Sequence, residues 1–423
     1  MNVDPIKAKL PKLDPYIALK FPDFRFFVTV KILMTMALQF QSVIVGWHIY
    51  SITHDPLSLG LIGLVEIIPN FSVTLFAGHF ADLYDRKKIV FSCLMVLFFC
   101  SLGLFYTSAF VNVQKQVVLL YCIIAVSGFA RGIVAPSMFS ILTECVPKEH
   151  YVNSTSWHST LWQIAFMLGA GGSGFLFSAI SYHTYLVITV FMLLAMGAFY
   201  FISPKPHLMK GDEKAPMMES IKSGVKFVFS SQIFLGAISL DLFAVLFGGA
   251  VALLPIYAND ILKVGPQGLG FLKAAPSLGS FIMAAIVVHW PPVKDTGKKL
   301  LAAVFGFGIC MIIFGISKNY YLSLFILALS GAFDNISVVV RGTIMQSLVP
   351  PDMKGKVYSV NSIFIGSSNE IGAFESGLAA KLMGVVPSVV FGGTMTLFVV
   401  LFTALKAPKL KNLNFLDKDH SNL

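Results

Sequence analysis

Apolar residues run through this chain in long stretches, separated by short breaks of charged residues, glycine or proline. A membrane-crossing helix needs about 20 largely apolar residues. By that measure twelve spans are predicted, at 26–51, 57–81, 89–110, 117–144, 157–180, 184–203, 232–258, 268–290, 299–317, 321–348, 357–383 and 387–405. Each is expected to be helical, because an open sheet would leave backbone groups unpaired in hydrocarbon. The longest connection runs from Pro204 to Ser231 and holds Pro204, Pro206, Gly211 and Pro216 ahead of an amphipathic stretch, Met217 to Phe229. The expected organisation is a six-helix bundle over 1–203, a cytoplasmic linker over 204–231, a second six-helix bundle over 232–405 and a tail over 406–423. The fold class is all-α, with twelve transmembrane helices in two pseudo-symmetric bundles.

Composition agrees with the pattern. Hydrophobic residues make up 56% of the 423 and charged residues 12%, about half the share usual in a soluble domain. A net charge of +10 in a soluble protein would point to nucleic acid. Here the basic residues fall in the short breaks, so lipid is the expected surroundings and no nucleic-acid partner is expected. They also alternate. If the breaks are assigned to alternate faces, one face collects clusters such as Arg86, Lys87, Lys88 and Lys294, Lys298, Lys299. The other keeps only Lys115, Lys263, Lys318 and Lys381. Both termini are therefore expected on the cytoplasmic side of the inner membrane. The first 25 residues are polar and lysine-bearing, with no signal-peptide core expected.

The two halves repeat. SGFARGIVAPSMFSILTECVP begins at Ser127 and SGAFDNISVVVRGTIMQSLVP at Ser330, an offset of 203 that continues without a gap into the following span. It matches Gly128 with Gly331, Pro147 with Pro350 and Gly169 with Gly372. Earlier in each half, Gly63 and Pro69 match Gly270 and Pro276 at an offset of 207.

Gly78 to Lys88 reads GHFADLYDRKK. Charge at Asp82, Asp85 and Arg86–Lys88 ends the second span, so the stretch is a hairpin at the membrane face. Its order resembles the loop between the second and third helices of the major facilitator superfamily, with Gly78, Phe80, Ala81, Asp82, Arg86 and Lys87 at matching positions. Leu83 stands where a basic residue is common, and Asp85 where a glycine is. With HDPLSLGLIGLVEIIP before it, and DLFAVLFGGAVALLPIYA and KGKVYSVNSIFIGSSNEIG in the second half, the chain is similar to the bacterial transmembrane secretion effectors, a group that includes enterobactin exporters. The resemblance implies a secondary transporter, with Gly78, Asp82, Arg86 and Lys87 as a gating loop. Asp82 is expected near Tyr358, and Arg86 on an acid of the seam between halves.

Ionised groups inside a membrane cost about 2.5–3.5 kcal/mol each on insertion scales, so they need a partner, water or a function. The resemblance implies that helices one, four, seven and ten line a cavity, and that two, five, eight and eleven form the seam. Arg131, Asp241, Asp334 and Arg341 are then cavity charges, with Arg131 matching Asp334 across the repeat and facing it. The acids are expected to bind protons or cationic substrate groups, tuned by the arginines. Static pairing between helices is the competing reading. Glu66, Lys273 and Glu370 are seam charges, Glu66 matching Lys273. Lys31, near a membrane face, is expected to snorkel and takes no role. The glycines Gly169, Gly171, Gly172 and Gly174 suit close helix packing; proton-linked drug exporters carry a proline motif on this helix, and here Ala170 follows Gly169.

Other chemistry has no motif. The five cysteines and the histidines show no metal-ligand spacing, so no metal or cofactor is expected. No phosphate-cradling GxxxxGK[ST] occurs. The expectation is a monomeric, proton-coupled exporter of a small organic molecule and not an enzyme. An importer or lysophospholipid flippase of the same fold is the alternative, and a non-transporting receptor a more distant one.

Overall fold

The computed structural model describes residues 14–83, 85–203, 217–292, 294–350 and 353–415, and within them the side chains of all but 75–83 and a few others. Among these residues there are twelve long helices and no strand. They are α1 Pro22–Thr53, α2 Pro56–Leu83, α3 Arg86–Phe110, α4 Val113–Glu144, α5 Tyr151–Ile180 and α6 Thr184–Tyr200, then α7 Gln232–Ile261, α8 Gly265–His289, α9 Thr296–Ile316, α10 Tyr320–Leu348, α11 Lys354–Met383 and α12 Val385–Lys406. A short amphipathic helix, Met217–Ser230, precedes α7.

Several helices run past the apolar windows. α5 begins at Tyr151, six residues before its apolar run, because the polar turn Tyr151–Ser156 continues the helix beyond the hydrocarbon. Polar caps fix the ends: the side chain of Asn112 accepts from Gln114 N (3.2 Å) at the start of α4, and that of Asn319 from Leu322 N (3.1 Å) at the start of α10. α7 is broken. Its first segment stops at Phe247, Gly248 and Gly249 interrupt it, and it resumes through a tight turn into a wide-turned end at Tyr257–Ile261. α11 carries Ser367, Ser368, Asn369, Glu370 and Glu375, which dilute its apolar content. Those residues are tolerable where they face protein and not acyl chains.

The same pairings recur in each set of six helices. α2 packs on α4 and α8 on α10; α1 on α5 and α7 on α11; α3 on α6 and α9 on α12. Two extensive contacts join the sets, α5 with α8 and α2 with α11, which exchange under the same pseudo-twofold relation. This is the arrangement of parallel repeats about an axis along the membrane normal.

The glycines of the repeat explain the closeness of the crossings. A Cβ on Gly128 would overlap the carbonyl of Glu66 in α2, and one on its counterpart Gly331 the carbonyl of Pro276 in α8. Gly174 lies equally tightly against Pro266 of α8, and its counterpart Gly377 against Gly60 of α2. Small residues let helix backbones touch where lipid supplies no hydrophobic drive.

Among the described residues, several polar and ring contacts that join the two sets gather toward one end. Lys381 of α11 pairs with Asp55 (3.1 Å), Tyr50 of α1 donates to Asp260 of α7, and Gln267 of α8 donates to Ser178 of α5 (3.1 Å). Phe175 and Phe271 meet edge to face at 5.0 Å. One apolar cluster crosses here too, with Val43, Tyr50 and Leu59 packed among Leu254, Tyr257 and Leu269. At the opposite end, where α1 and α7 start, the first turns of α5 border a cleft lined by Tyr151, Thr155, Ser156, Ser159 and Thr160. Among the described residues, the two sets are thus clamped at the first of these ends.

Candidate functional site

The second set of helices carries a buried ion pair. Asp241 of α7 pairs with Arg341 of α10, both side chains 9% exposed, and Arg341 Nε also donates to the carbonyl of Ser337 at 3.4 Å. Asp334 lies two turns before Arg341 on the same helix, so both fall on one face. It sits in the field of both members of the pair and has no hydrogen-bond or ion-pair partner of its own among the described residues. Beside it, Asn335 donates to Ser280 Oγ of α8 (3.1 Å), which also accepts from Gln163 of α5 (3.4 Å).

The first set carries the counterpart. Arg131 of α4 pairs with Glu66 of α2. The expectation that Arg131 faces Asp334 is therefore incomplete: its guanidinium is held by an acid of its own half. The crossing that brings them together is the one at Gly128, one turn before Arg131, where α4 presses on the backbone of Glu66. Lys31 of α1 lies in the field of Arg131, and its own charge reaches His158 of α5, while the ring of Phe27 packs 5.8 Å from His158. Lys31 also has no ion-pair partner among the described residues.

Between the sets, Lys273 of α8 donates to Ser42 Oγ of α1 at 3.1 Å. Glu370 of α11 lies against Gly63 of α2, where a Cβ would come within 2.9 Å of its Oε2. Arg131 and Lys273 are the two bases acting on it. Glu370 thus links the charge of the first set to the seam.

The loop after α2 is described from Asp85 on; the side chains of Gly78 and Asp82 lie outside the described residues, as does any contact of Asp82 with Tyr358, whose ring is 66% exposed. Asp85 caps α3, accepting from Lys87 N at 2.9 Å. Arg86 pairs with Glu144 at the end of α4 (2.5 Å). Lys87 donates to the carbonyls of Tyr200 (3.0 Å) and Ile202 after α6, and stands over the Tyr200 ring. Glu144, the acid that Arg86 meets here, belongs to its own half. Sequence reasoning passed over Glu144 because nothing in one strip of sequence says that α4 ends beside the start of α3. It set Lys31 aside for the same kind of reason: depth was legible, facing was not.

No group of His, Cys, Asp and Glu with metal-holding geometry occurs among the described residues.

Twelve membrane helices, two sets sharing one packing pattern and ionised residues kept inside define a membrane carrier. The sequence profile of the Major Facilitator Superfamily matches residues 27–373, and the chain belongs to that superfamily of transporters. It is 25% identical over 303 residues to the uncharacterized MFS-type transporter YfmI of Bacillus subtilis, covering 68% of this chain and 73% of that one. It is 22% identical over 398 residues to the enterobactin exporter EntS of Escherichia coli, covering 91% and 92%. Among solved structures, a bacterial homologue of the iron transporter ferroportin in an inward-facing state superposes with a TM-score of 0.71 at 15% identity, over 92% of this chain and 99% of that one. The protein is a multi-pass membrane transporter.

Proposed function

We propose that this transporter is a proton-coupled exporter of a small organic molecule, acting as a monomer in the cytoplasmic membrane with both termini in the cytoplasm. The two six-helix units, 1–203 and 232–405, rock about the interior charges, joined by the linker over 204–231. The observation that carries the reading is Asp334: a carboxylate inside the membrane, next to an ion pair yet outside it. An acid so placed is free to take and release a proton, and each charge moved through 100 mV is worth about 2.3 kcal/mol. The end clamped by Lys381–Asp55 and Tyr50–Asp260 is then the external gate, and the cleft beside α5 opens to the cytoplasm, as a carrier awaiting cytoplasmic cargo requires. The name of the enterobactin exporter among its relatives supports export.

Gly78, Asp82, Arg86 and Lys87 form the gating loop in this reading. Arg86 and Lys87 hold the ends of α4 and α6 as one body, and Asp82 meets the start of α11 when the cytoplasmic end closes, where the helix dipole favours an anion.

The test is accumulation in inside-out vesicles, with and without an imposed proton gradient, of siderophores, dyes and lysolipids. Gradient-driven uptake of a siderophore or dye is expected. Accumulation only in right-side-out vesicles would make the protein an importer, and gradient-independent movement of lysolipid would make it a flippase.

A further inference from the structure

We propose that the short helix Met217–Ser230 is a docking site for anionic phospholipid, whose headgroup is held by Lys222 and Lys226 while Phe229 enters the acyl boundary. This adds a lipid ligand to the transporter and rests only on the placement of α7 and α11 as membrane helices.

The helix has two opposite faces. At about 3.6 residues per turn, Gly224 and Val228 fall on one side and Lys222, Lys226 and Phe229 on the other. The first side is packed. A Cβ on Gly224 would come within 2.8 Å of the carbonyl of Lys356 in the first turn of α11, and Val228 is buried. Val225 and Phe227 rest on the same apolar cluster, and the Phe227 ring lies 5.4 Å from that of Phe234 in α7. This packing fixes the helix in rotation. The stripe of Lys222, Lys226 and Phe229 is turned outward, with Phe229 58% exposed.

Two anchors set the level of the helix. At one end only Ser231, extended at φ −106° and ψ 118°, separates it from the first residue of the α7 span. Near the other end Gly224 crosses the first turn of α11. Both anchors are places where a membrane helix starts, so the short helix lies along the bilayer surface between them. Phe229 then stands within about one turn of the hydrocarbon, the level at which interfacial aromatic rings sit. A phenylalanine in line with two lysines is the pattern of a helix bedded in a headgroup layer.

The charge of the site selects the headgroup. Residues 217–230 and the first turns of α11, 354–360, hold Lys222, Lys226, Lys354 and Lys356 against one acid, Glu219. Neither Lys222 nor Lys226 has an ion-pair partner among the described residues. The surplus is positive, so the complementary headgroup is anionic, and a zwitterionic one, bringing no net charge, is the weaker ligand. Because Gly224 presses on Lys356, lipid held by this helix also braces the start of α11.

The experiment titrates the full chain in detergent with phosphatidylglycerol and, separately, with phosphatidylcholine of the same acyl chains, read by native mass spectrometry. The first phosphatidylglycerol is expected to bind at least about fivefold tighter than the first phosphatidylcholine, the factor that one lysine near an anionic surface supplies. Lys222→Gln with Lys226→Gln should abolish that preference, and Lys222→Arg with Lys226→Arg should keep it. Phe229→Ser should weaken both lipids. Lys409→Gln with Lys411→Gln removes the same charge from the exposed turn after α12 and should leave the preference intact. No preference between the lipids, or equal losses from the two glutamine pairs, overturns the proposal. Displacement of the lipid by millimolar sn-glycerol 3-phosphate overturns it too, by making the stripe a site for soluble anions. None of these readouts involves transport, so a negative result leaves the transporter reading intact.

Discussion

Arg131 and Asp334 occupy matching positions of α4 and α10, 203 residues apart, yet only one of them is paired. Glu66 reaches Arg131 from α2 because α4 and α2 touch backbone to backbone at Gly128. The equivalent crossing of α8 and α10 at Gly331 meets the backbone of Pro276, and Lys273, the counterpart of Glu66, donates to Ser42 of α1 instead. The repeat preserved the crossing and changed its chemistry. Asp334 is left as the free acid, and this should be visible in the pH dependence of transport. In wild type, transport should vary with pH as Asp334 exchanges its proton, with Asp241 and Arg341 the charged groups nearest to it and Ser280 and Asn335 neutral neighbours. Asp334→Asn should run at a rate that no longer varies between about pH 5 and 8, because the amide mimics the protonated state throughout. Counterflow in proteoliposomes measures it, and an unaltered pH profile removes Asp334 from the coupling step.

Asp241 and Arg341 are the opposite case, a pair shut away from water. Removing one partner leaves a buried charge uncompensated, at a cost of about 3–5 kcal/mol, whereas replacing both by apolar or neutral groups of similar size is close to neutral. Arg341→Met should therefore lower the thermal transition of the purified protein sharply, and adding Asp241→Asn should restore most of it. A double variant no more stable than the single one would mean the pair does more than cancel its own charges.

The clamp at the far end should respond unequally to two of its three polar links. Lys381–Asp55 stands open to water, and exposed pairs contribute about 0–1 kcal/mol. Tyr50, buried in the apolar cluster shared by both halves, donates to Asp260 at the edge of that cluster. Tyr50→Phe should raise the rate at which an external maleimide labels a cysteine placed at Leu269, buried in the shared cluster, by several-fold. Lys381→Ala should change it by less than twofold. Equal effects from the two would show that the apolar cluster, not the tyrosine hydroxyl, holds the gate.

Much of this was readable in advance, for stated physical reasons. The apolar runs marked the helices because lipid tolerates little else, and the offset of 203 residues tied α4 and α5 to α10 and α11. Which residues carry charge was also plain. Which charges meet was not. Glu66 read as a seam carboxylate, yet it faces α4 within its own half; Lys31 read as a snorkelling lysine, yet it sits in the field of Arg131. Helix identity and depth are linear properties of a sequence. The rotation of one helix against another is set by where glycines let backbones touch, and that is known only once the crossings are.

Those crossings supply the last prediction. Gly331 has no room: a Cβ there would overlap the backbone of Pro276 in α8, so Gly331→Ala must push α8 and α10 apart. Gly128→Ala must do the same to α2 and α4, and it would draw Glu66 away from Arg131. Gly197, inside α6, faces open space, with nothing within 4 Å of where a Cβ would stand, so Gly197→Ala keeps the packing and gains up to about 1 kcal/mol of helix propensity. Thermal unfolding in detergent should order the three, with Gly197→Ala at or above wild type and both crossing variants well below. Transport should separate the crossing variants further. Gly128→Ala leaves Arg131 without its acid, while Gly331→Ala leaves Asp241–Arg341 intact on helices α7 and α10. Under a charge-based mechanism Gly128→Ala therefore loses substrate affinity out of proportion to its loss of stability. If the two variants lose affinity only in step with their unfolding temperatures, the crossing at Gly128 serves packing alone.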